Sequence, residues 1–505
     1  MSLARVYTRA QLGIDAPRVS VEVHLSSGLP SLTLVGLPET AVKESKDRVR
    51  SAILNSGFEF PAKRITINLA PADLPKDGGR YDLAIALGIL AASEQMPATG
   101  LEGKEFIGEL ALSGELQPIP GVLPAALQAA NAEQLLVLPE ANAEEAALCT
   151  SGHFKAASSL QEVSDYLHGQ RSLRDVVPID ATQVKRQQPP ADLRDVRGQP
   201  QAKRALEIAA AGQHNLLFIG PPGTGKTMLA SRLPGIMPPM SEQEALVSAS
   251  IYSISNHQHD WQQQWRVRPF RSPHHTASGV ALVGGGTKPK PGEISLAHAG
   301  VLFLDELPEY SRKVLDVLRE PLESGRIVIS RASRSITYPA SFQLIAAMNP
   351  CPCGYFGDPG GRCQCTTDQV RRYQGQASGP LLDRIDLHVE VPPIPTAMLQ
   401  QAPEGDPTDV VQQRVQAARQ RQFERQGCIN AELSGDRRDQ VCALVTDDRE
   451  WLLGAIESLK LSARAYHRVL KIARTIADLQ NKDWIERPHL LEALSYRTID
   501  RYLQK

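Results

Sequence analysis

Apolar and polar positions change period along the chain. The segments "VSVEVHL" from Val19, "SLTLVGL" from Ser31 and "RITINLA" from Arg64 alternate residue by residue. Period two puts successive side chains on opposite faces, so each segment predicts a half-buried β-strand. Residues 41–55, "AVKESKDRVRSAILN", instead carry their apolar residues at helical spacing. With Ala-rich helical segments further on, residues 1–168 predict a self-contained α+β domain. Residues 169–192 are polar and carry Pro and Gln ("VKRQQPPAD"), the pattern of a linker. Over 193–393 strands and helices alternate, as in an α/β sheet of parallel strands. A Pro-, Gln- and Asp-rich stretch then leads into a connector helix within 394–430 and a helical segment over 431–505. No fixed-period repeat is visible.

A chain of 505 residues with 42% hydrophobic content has room for several full cores. Its 55 basic and 56 acidic residues nearly cancel. Bulk charge therefore does not draw the chain to nucleic acid or membrane, and any polyanion must be met by local patches. The first residues lack the apolar core of a signal peptide. The longest apolar run, "LAIALGILAA" at 83–92, is half of the about 20 residues a bilayer requires. These features predict a soluble, cytoplasmic protein with no membrane partner.

The chemistry is concentrated in "NLLFIGPPGTGKTMLA". An apolar strand leads into Gly220, Pro221, Pro222, Gly223, Thr224, Gly225, Lys226 and Thr227, and then into a helix. This is a phosphate-binding loop in its required strand–loop–helix setting. Its backbone N–H groups and the helix N-terminus cradle phosphate. Lys226 is expected to reach the β- and γ-phosphates and Thr227 to ligate Mg²⁺, so ATP and Mg²⁺ are the expected ligands. A second apolar strand ends in Asp305 and Glu306. Asp305 suits the Mg²⁺ shell and Glu306 the polarisation of an attacking water. A third strand, "FQLIAAM", ends at Asn349, whose amide can hydrogen-bond the γ-phosphate or that water. In "LLDRIDLHVEV", Arg384 lies between Asp383 and Asp386. It reads either as a local salt bridge or as an arginine finger reaching a neighbouring subunit's ATP.

These elements in this order resemble the AAA+ ATPases, and within them the magnesium-chelatase-like branch that includes the MCM helicases. The fold this implies is α/β: an AAA+ core with a helical lid, after an α+β Lon-protease-like (ribosomal S5 domain 2-like) domain. In "LSARAYHRVLKIARTIADL", the resemblance makes Arg464 the sensor-2 contact to the γ-phosphate, with Arg468 as the alternative. Residues 268–300 sit where that branch inserts a hairpin. "SGRIVISRASRSITYPASF" sits at its pre-sensor hairpin, with Arg331 and Arg334 near the tip, facing a ring's pore. Over nearly its whole length the chain resembles the ComM/YifB family of competence-associated helicases. The resemblance implies a homo-oligomer, a hexameric ATPase driving branch migration on single-stranded or branched DNA during homologous recombination and natural transformation. The alternative is a chelatase-like or protein-remodelling ATPase acting on a protein partner. A protease is disfavoured: Lon-type enzymes use a Ser–Lys dyad, whereas aligning "PKDG" places Arg80 or a neighbour at the Ser position and "PIPGV" places Leu123 at the Lys position, with no Lys in "GVLPAALQAA".

Four of the seven cysteines (Cys351, Cys353, Cys363, Cys365) fall in "NPCPCGYFGDPGGRCQC". Two Cys-x-Cys pairs across a Gly-rich turn can supply four sulfurs to one Zn²⁺; redox-active or unliganded thiols are the other readings. Cys149, Cys428 and Cys442 are scattered and read as core residues. The adjacent His274 and His275 are expected to point apart, which disfavours a metal. Arg414, Arg421 and Arg425 share one side of a helix within residues 410–426, read as a solvated face or a contact to DNA or a subunit.

Overall fold

The computed structural model describes residues 3–36, 40–179, 191–255, 265–286, 289–331, 334–358, 360–377, 379–395 and 405–497. The chain forms two compact units, Met1–Arg186 with Leu246–Trp265, and Gln187–Ala245 with Arg266–Lys505.

The first unit is built on an eight-stranded sheet. The alternating segments become strands β1 (Leu3–Arg9), β2 (Arg18–Ser26), β3 (Ser31–Val35) and β4 (Arg64–Ala70), with helix α1 (Thr40–Asn55) between the last two. The apolar run becomes α2 (Asp82–Ala92), buried on every side because it is apolar on every side. Strands β5 (Lys104–Phe106), β6 (Leu135–Pro139), β7 (Phe154–Ala157) and β8 (Arg174–Asp175) complete the order β8-β7-β6-β5-β1-β2-β4-β3. β8 lies inside the stretch expected to be linker. It pairs antiparallel with β7, and Leu173 and Val176 on either side of it are buried. The first unit therefore extends through Val176; residues 180–190 of the expected linker lie outside the described residues.

In the second unit five strands run parallel in the order β10-β11-β14-β9-β15: β9 (Leu216–Ile219), β10 (Phe270–Arg271), β11 (Val301–Leu304), β14 (Gln343–Met348) and β15 (Leu387–Glu390). All four residues of β9 and of β11 and all six of β14 are buried. Continuous burial explains why these strands read as apolar runs rather than alternations. Parallel strands end on one edge, so the segments after β9, β11 and β14 leave the sheet together. Between β11 and β14, β12 (Arg326–Arg331) and β13 (Arg334–Pro339) form an antiparallel hairpin. Its tip residues and the Arg331 and Arg334 side chains lie outside the described residues.

Helices α3 (Pro200–Gly212), α4 (Lys226–Ile236), α6 (Thr367–Gln374), α7 (Thr408–Gln426) and α8 (Ala463–Leu479) belong to this unit, while α5 (Glu242–Ile254) begins in the second unit and ends in the first. The expected connector helix, α7, is part of the core. Val411, Val415 and Ala418 join one apolar cluster with α3, the central strands and the C-terminal helices. Its three arginines each meet a group of this unit, although Arg414 and Arg425 stay partly exposed. Arg414 pairs with Glu207 and Asp406, Arg421 donates to the Asp478 carbonyl, and Arg425 pairs with the buried Asp478 carboxylate. A buried carboxylate requires such a partner, and that requirement sets the orientation of the helix face.

Candidate functional site

The phosphate loop joins β9 to α4. Gly223 and Gly225 adopt φ of 78° and 87°, where a side chain would cost about 1 kcal/mol or more. Lys226, the first residue of α4, is largely buried. Its ammonium donates to the carbonyls of Gly220 and Pro221 at 2.7 and 2.8 Å and to Asn349 Oδ1 at 3.1 Å. All three donors are thus occupied by neutral acceptors, which a charged phosphate oxygen would replace with stronger bonds. Burial lowers the Lys226 pKa from its ordinary value, opposed by the charges of Asp305 and Glu306.

Thr227 Oγ1 donates to Asp305 Oδ2 at 2.8 Å, and the other carboxylate oxygen of Asp305 accepts the Glu306 N–H at 3.0 Å. A hydroxyl and a carboxylate in contact are a hard-oxygen donor pair that fits Mg²⁺. β14 lies between β9 and β11. That order delivers Asn349 between the phosphate loop and Asp305. Lys226, Thr227, Asp305 and Asn349 are therefore brought together by strand order alone.

Glu306 has φ 51°, an unusual backbone for a glutamate and a form of strain that collects at functional sites. Its carboxylate lies 3.1 Å from His275 Nδ1, a partner sequence reasoning missed. The expectation that His274 and His275 point apart is overturned: their rings lie 4.1 Å apart, and His274 turns to Thr276 Oγ1 at 2.8 Å. The Tyr310 hydroxyl donates to the Pro273 carbonyl at 2.5 Å, tying the same segment to the turn after β11. Burial raises the pKa of Tyr310, so it stays a donor. The "PHH" sequence is the signal available for this contact.

Arg384 and Arg464 make their contacts elsewhere. Arg384 does not pair with its sequence neighbours Asp383 and Asp386. It pairs with Glu323 and donates to the Pro380 carbonyl at 2.7 Å. Arg464, in the first turn of α8, is 74% exposed and only reaches Asp383 at 3.5 Å. Arg468 is committed instead, donating to the Ile385 carbonyl at 2.9 Å beside Asp386. Burial pushes the Asp386 carboxyl up, but the hydrogen bond and charge of His214 and the charge of Arg468 hold it well below the usual range.

The Cys351, Cys353, Cys363 and Cys365 sulfurs lie within 4.8 Å of one another, directly after Asn349. The N–H groups of Tyr355 and then Gln364 hold the Cys353 thiol down to about 6. Of the remaining cysteines, Cys149 and Cys442 are buried and Cys428 packs at the core edge.

In the first unit, the positions expected to lack a proteolytic dyad are buried. Arg80 donates to Gln11 Oε1 at 2.9 Å and to the Pro120 carbonyl. The Leu123 N–H donates to Glu145 Oε1 at 3.0 Å, and the same carboxylate accepts the Ser253 hydroxyl. Burial raises the Glu145 pKa, opposed by these bonds and by Arg80. Ser253, near the end of α5, also accepts the Gly121 N–H through its carbonyl at 3.2 Å. No helix among the described residues is long and apolar enough to cross a membrane.

The family described as magnesium chelatase, subunit ChlI, matches residues 192–399. The related descriptions "subunit ChlI of Mg-chelatase" and "magnesium chelatase, subunit ChlI C-terminal" match 21–142 and 405–497. The protein YifB of Salmonella typhimurium is 56% identical over 504 residues, covering 100% of this chain and 98% of that protein. The competence protein ComM of Haemophilus influenzae is 53% identical over 509 residues, covering 100% and 99%. The magnesium-chelatase 38 kDa subunit of Rhodobacter capsulatus is 27% identical over 214 residues, 38% of this chain and 54% of that protein.

Proposed function

From the premise that this chain belongs to the ComM/YifB family of magnesium-chelatase-like AAA+ ATPases, we propose that it is an ATP-driven, ring-shaped DNA motor of the branch-migration type. It would act in homologous recombination and natural transformation, as a homo-oligomer, most simply a hexamer, in the cytoplasm. The observation that carries the ATPase part is the convergence of Lys226, Thr227, Asp305 and Asn349 at one sheet edge. Support for the DNA part comes from the ComM relative, a competence protein, and from the hairpin of β12 and β13.

In this reading the N–H groups of residues 220–227 and Lys226 hold the phosphates of ATP. Thr227 and Asp305 would hold Mg²⁺, which when bound offsets the charge developing on the phosphate oxygens. Glu306 leaves His275 and accepts a proton from the attacking water at its carboxylate. Asn349 orients that water, or the γ-phosphate, from the strand end. Arg384 acts on a neighbouring subunit's site, and Arg464 reaches the γ-phosphate from the lid. The first unit is a non-proteolytic Lon-like module, because Arg80 and Leu123 replace a nucleophile and its base.

The Rhodobacter relative and the near-neutral charge favour a second reading, an ATPase that remodels a protein partner. ATP hydrolysis measured with and without single-stranded and forked DNA across a salt series separates the two. The DNA motor requires stimulation by forked DNA that falls as salt rises. Hydrolysis indifferent to DNA at every salt concentration would favour the protein remodeller.

A further inference from the structure

The four cysteines lie outside the nucleotide contacts, and their geometry is specific. Cys351 Sγ is 3.3 Å from Cys353 Sγ and 3.8 Å from Cys363 Sγ, and the latter two are 3.7 Å apart. A disulfide needs about 2.05 Å. Four sulfurs around one zinc at Zn–S of about 2.3 Å stand about 3.8 Å from one another by tetrahedral geometry. The set is all sulfur, a soft donor set that selects zinc over the hard cations of the phosphate site. It is also closed, because four protein ligands leave no position for water or substrate. The Phe356 N–H donates to Cys351 Sγ at 3.3 Å, the kind of bond that takes up thiolate charge and orients a ligand. Arg362 forks onto Asp358 and stacks over the Tyr355 ring at 4.4 Å, bracing the loop between the two pairs.

The same loop rests on the phosphate loop. A Cβ at Gly354 would meet Pro222 Cδ at 2.6 Å. Gln374, in the helix that opens just after Cys365, donates to the Pro350 carbonyl at 2.8 Å. Asn349, two residues before Cys351, accepts from Lys226. The cysteine loop is therefore joined to the strand end bearing Asn349 and packed against Pro222.

We propose that Cys351, Cys353, Cys363 and Cys365 hold one structural Zn²⁺ that clamps Asn349 against the phosphate loop. The metal site stands on sulfur geometry alone; the clamp rests on the ATP-site reading above. The full-length protein, purified without chelators, should carry about one zinc per chain by elemental analysis. A mercurial that titrates thiols should release it into a chromophoric chelator. Cobalt exchanged into the site should show the absorption of a tetrahedral thiolate complex. Protein without zinc after expression with added zinc salt would overturn the site, as would a disulfide within the quartet or a coloured iron centre. For the clamp, a fluorescent ATP analogue should bind about 10-fold or more weakly once zinc is released, with the far-UV circular dichroism retained. A tenfold loss corresponds to about 1.4 kcal/mol. Equal affinity with and without zinc would overturn the clamp and leave the metal site. Failure of zinc-loaded protein to bind the analogue would instead overturn the ATP-site reading, so the two failures are distinct. The Cys353→Ser, Cys363→Ser double variant should contain no zinc; full zinc content in it would also overturn the assignment.

Discussion

Replacing Gly354 by Ala tests whether the cysteine loop bears on the phosphate loop, and Gly357 supplies the matched control. The two glycines have nearly the same backbone, φ 85° and 84°, so Ala at either incurs the same left-handed cost of about 1–2 kcal/mol. They differ in what the new methyl meets. At Gly357 nothing lies within 4 Å, whereas at Gly354 Pro222 Cδ lies at 2.6 Å. Carbon atoms pack at about 3.5–4.0 Å, so the methyl must push the loop and Pro222 apart by about 1 Å. Overpacking of this size costs about 1–3 kcal/mol. If the displaced partner is the phosphate loop, that cost falls on nucleotide binding. Gly354→Ala should then bind an ATP analogue about 5- to 150-fold more weakly than Gly357→Ala. Equilibrium titration by fluorescence anisotropy, with zinc content measured on the same samples, reads this directly. Equal affinities in the two variants, both zinc-loaded, would refute the contact as a determinant of binding.

Glu306→Gln should bind ATP normally and hydrolyse it about 10²–10⁴-fold more slowly in a steady-state phosphate-release assay; unaltered turnover would reduce Glu306 to a helix-capping residue. His275→Ala should raise DNA-independent hydrolysis, since it removes the group that holds Glu306 aside, and a fall in basal rate would contradict that role. Arg384→Ala should spare ATP binding and lower hydrolysis by about 10³–10⁵-fold, with partial recovery on mixing with Lys226→Ala as a ring assembles shared sites. Arg464→Ala should weaken ATP binding without moving the melting temperature. Arg468→Ala should lower the melting temperature, because it strips a carbonyl and Asp386 of a charged partner worth about 1–3 kcal/mol; the reverse pattern would exchange the two assignments.

Lys226, Thr227 and Asp305 were legible because each is written in a contiguous strand and turn, where local sequence dictates local backbone. Asn349 was legible for the same reason once its strand was recognised. His275 was not, since its contact with Glu306 joins residues 31 positions apart through a loop whose path no periodicity encodes. The ion pairs of the α7 arginines were not legible either, because the carboxylates they meet, Glu207 and Asp478, stand on other helices far away in the sequence. β8 was missed because its two residues are both exposed and carry no alternation. Its pairing with β7 and the burial of Leu173 and Val176 beside it mark the chain there as folded.

The course of α5 has a consequence for synthesis. The bond from Ser253 to Glu145 and the Gly121 N–H to its carbonyl complete the first unit with residues made long after Val176. A ribosome adding about 5–20 residues per second takes roughly 4–16 s to cover the about 80 residues from Val176 to Ser255. During that interval the emerging first unit holds Glu145 without its hydroxyl partner, and by its end the phosphate loop of the second unit has been made as well. The first unit is therefore complete only once residues 246–265, which follow the phosphate loop in the chain, have emerged. A cut between Arg186 and Gln187 would strand the end of α5 on the wrong fragment. Loss of activity after such a cut would report incomplete folding before it reported the work of the amino-terminal unit.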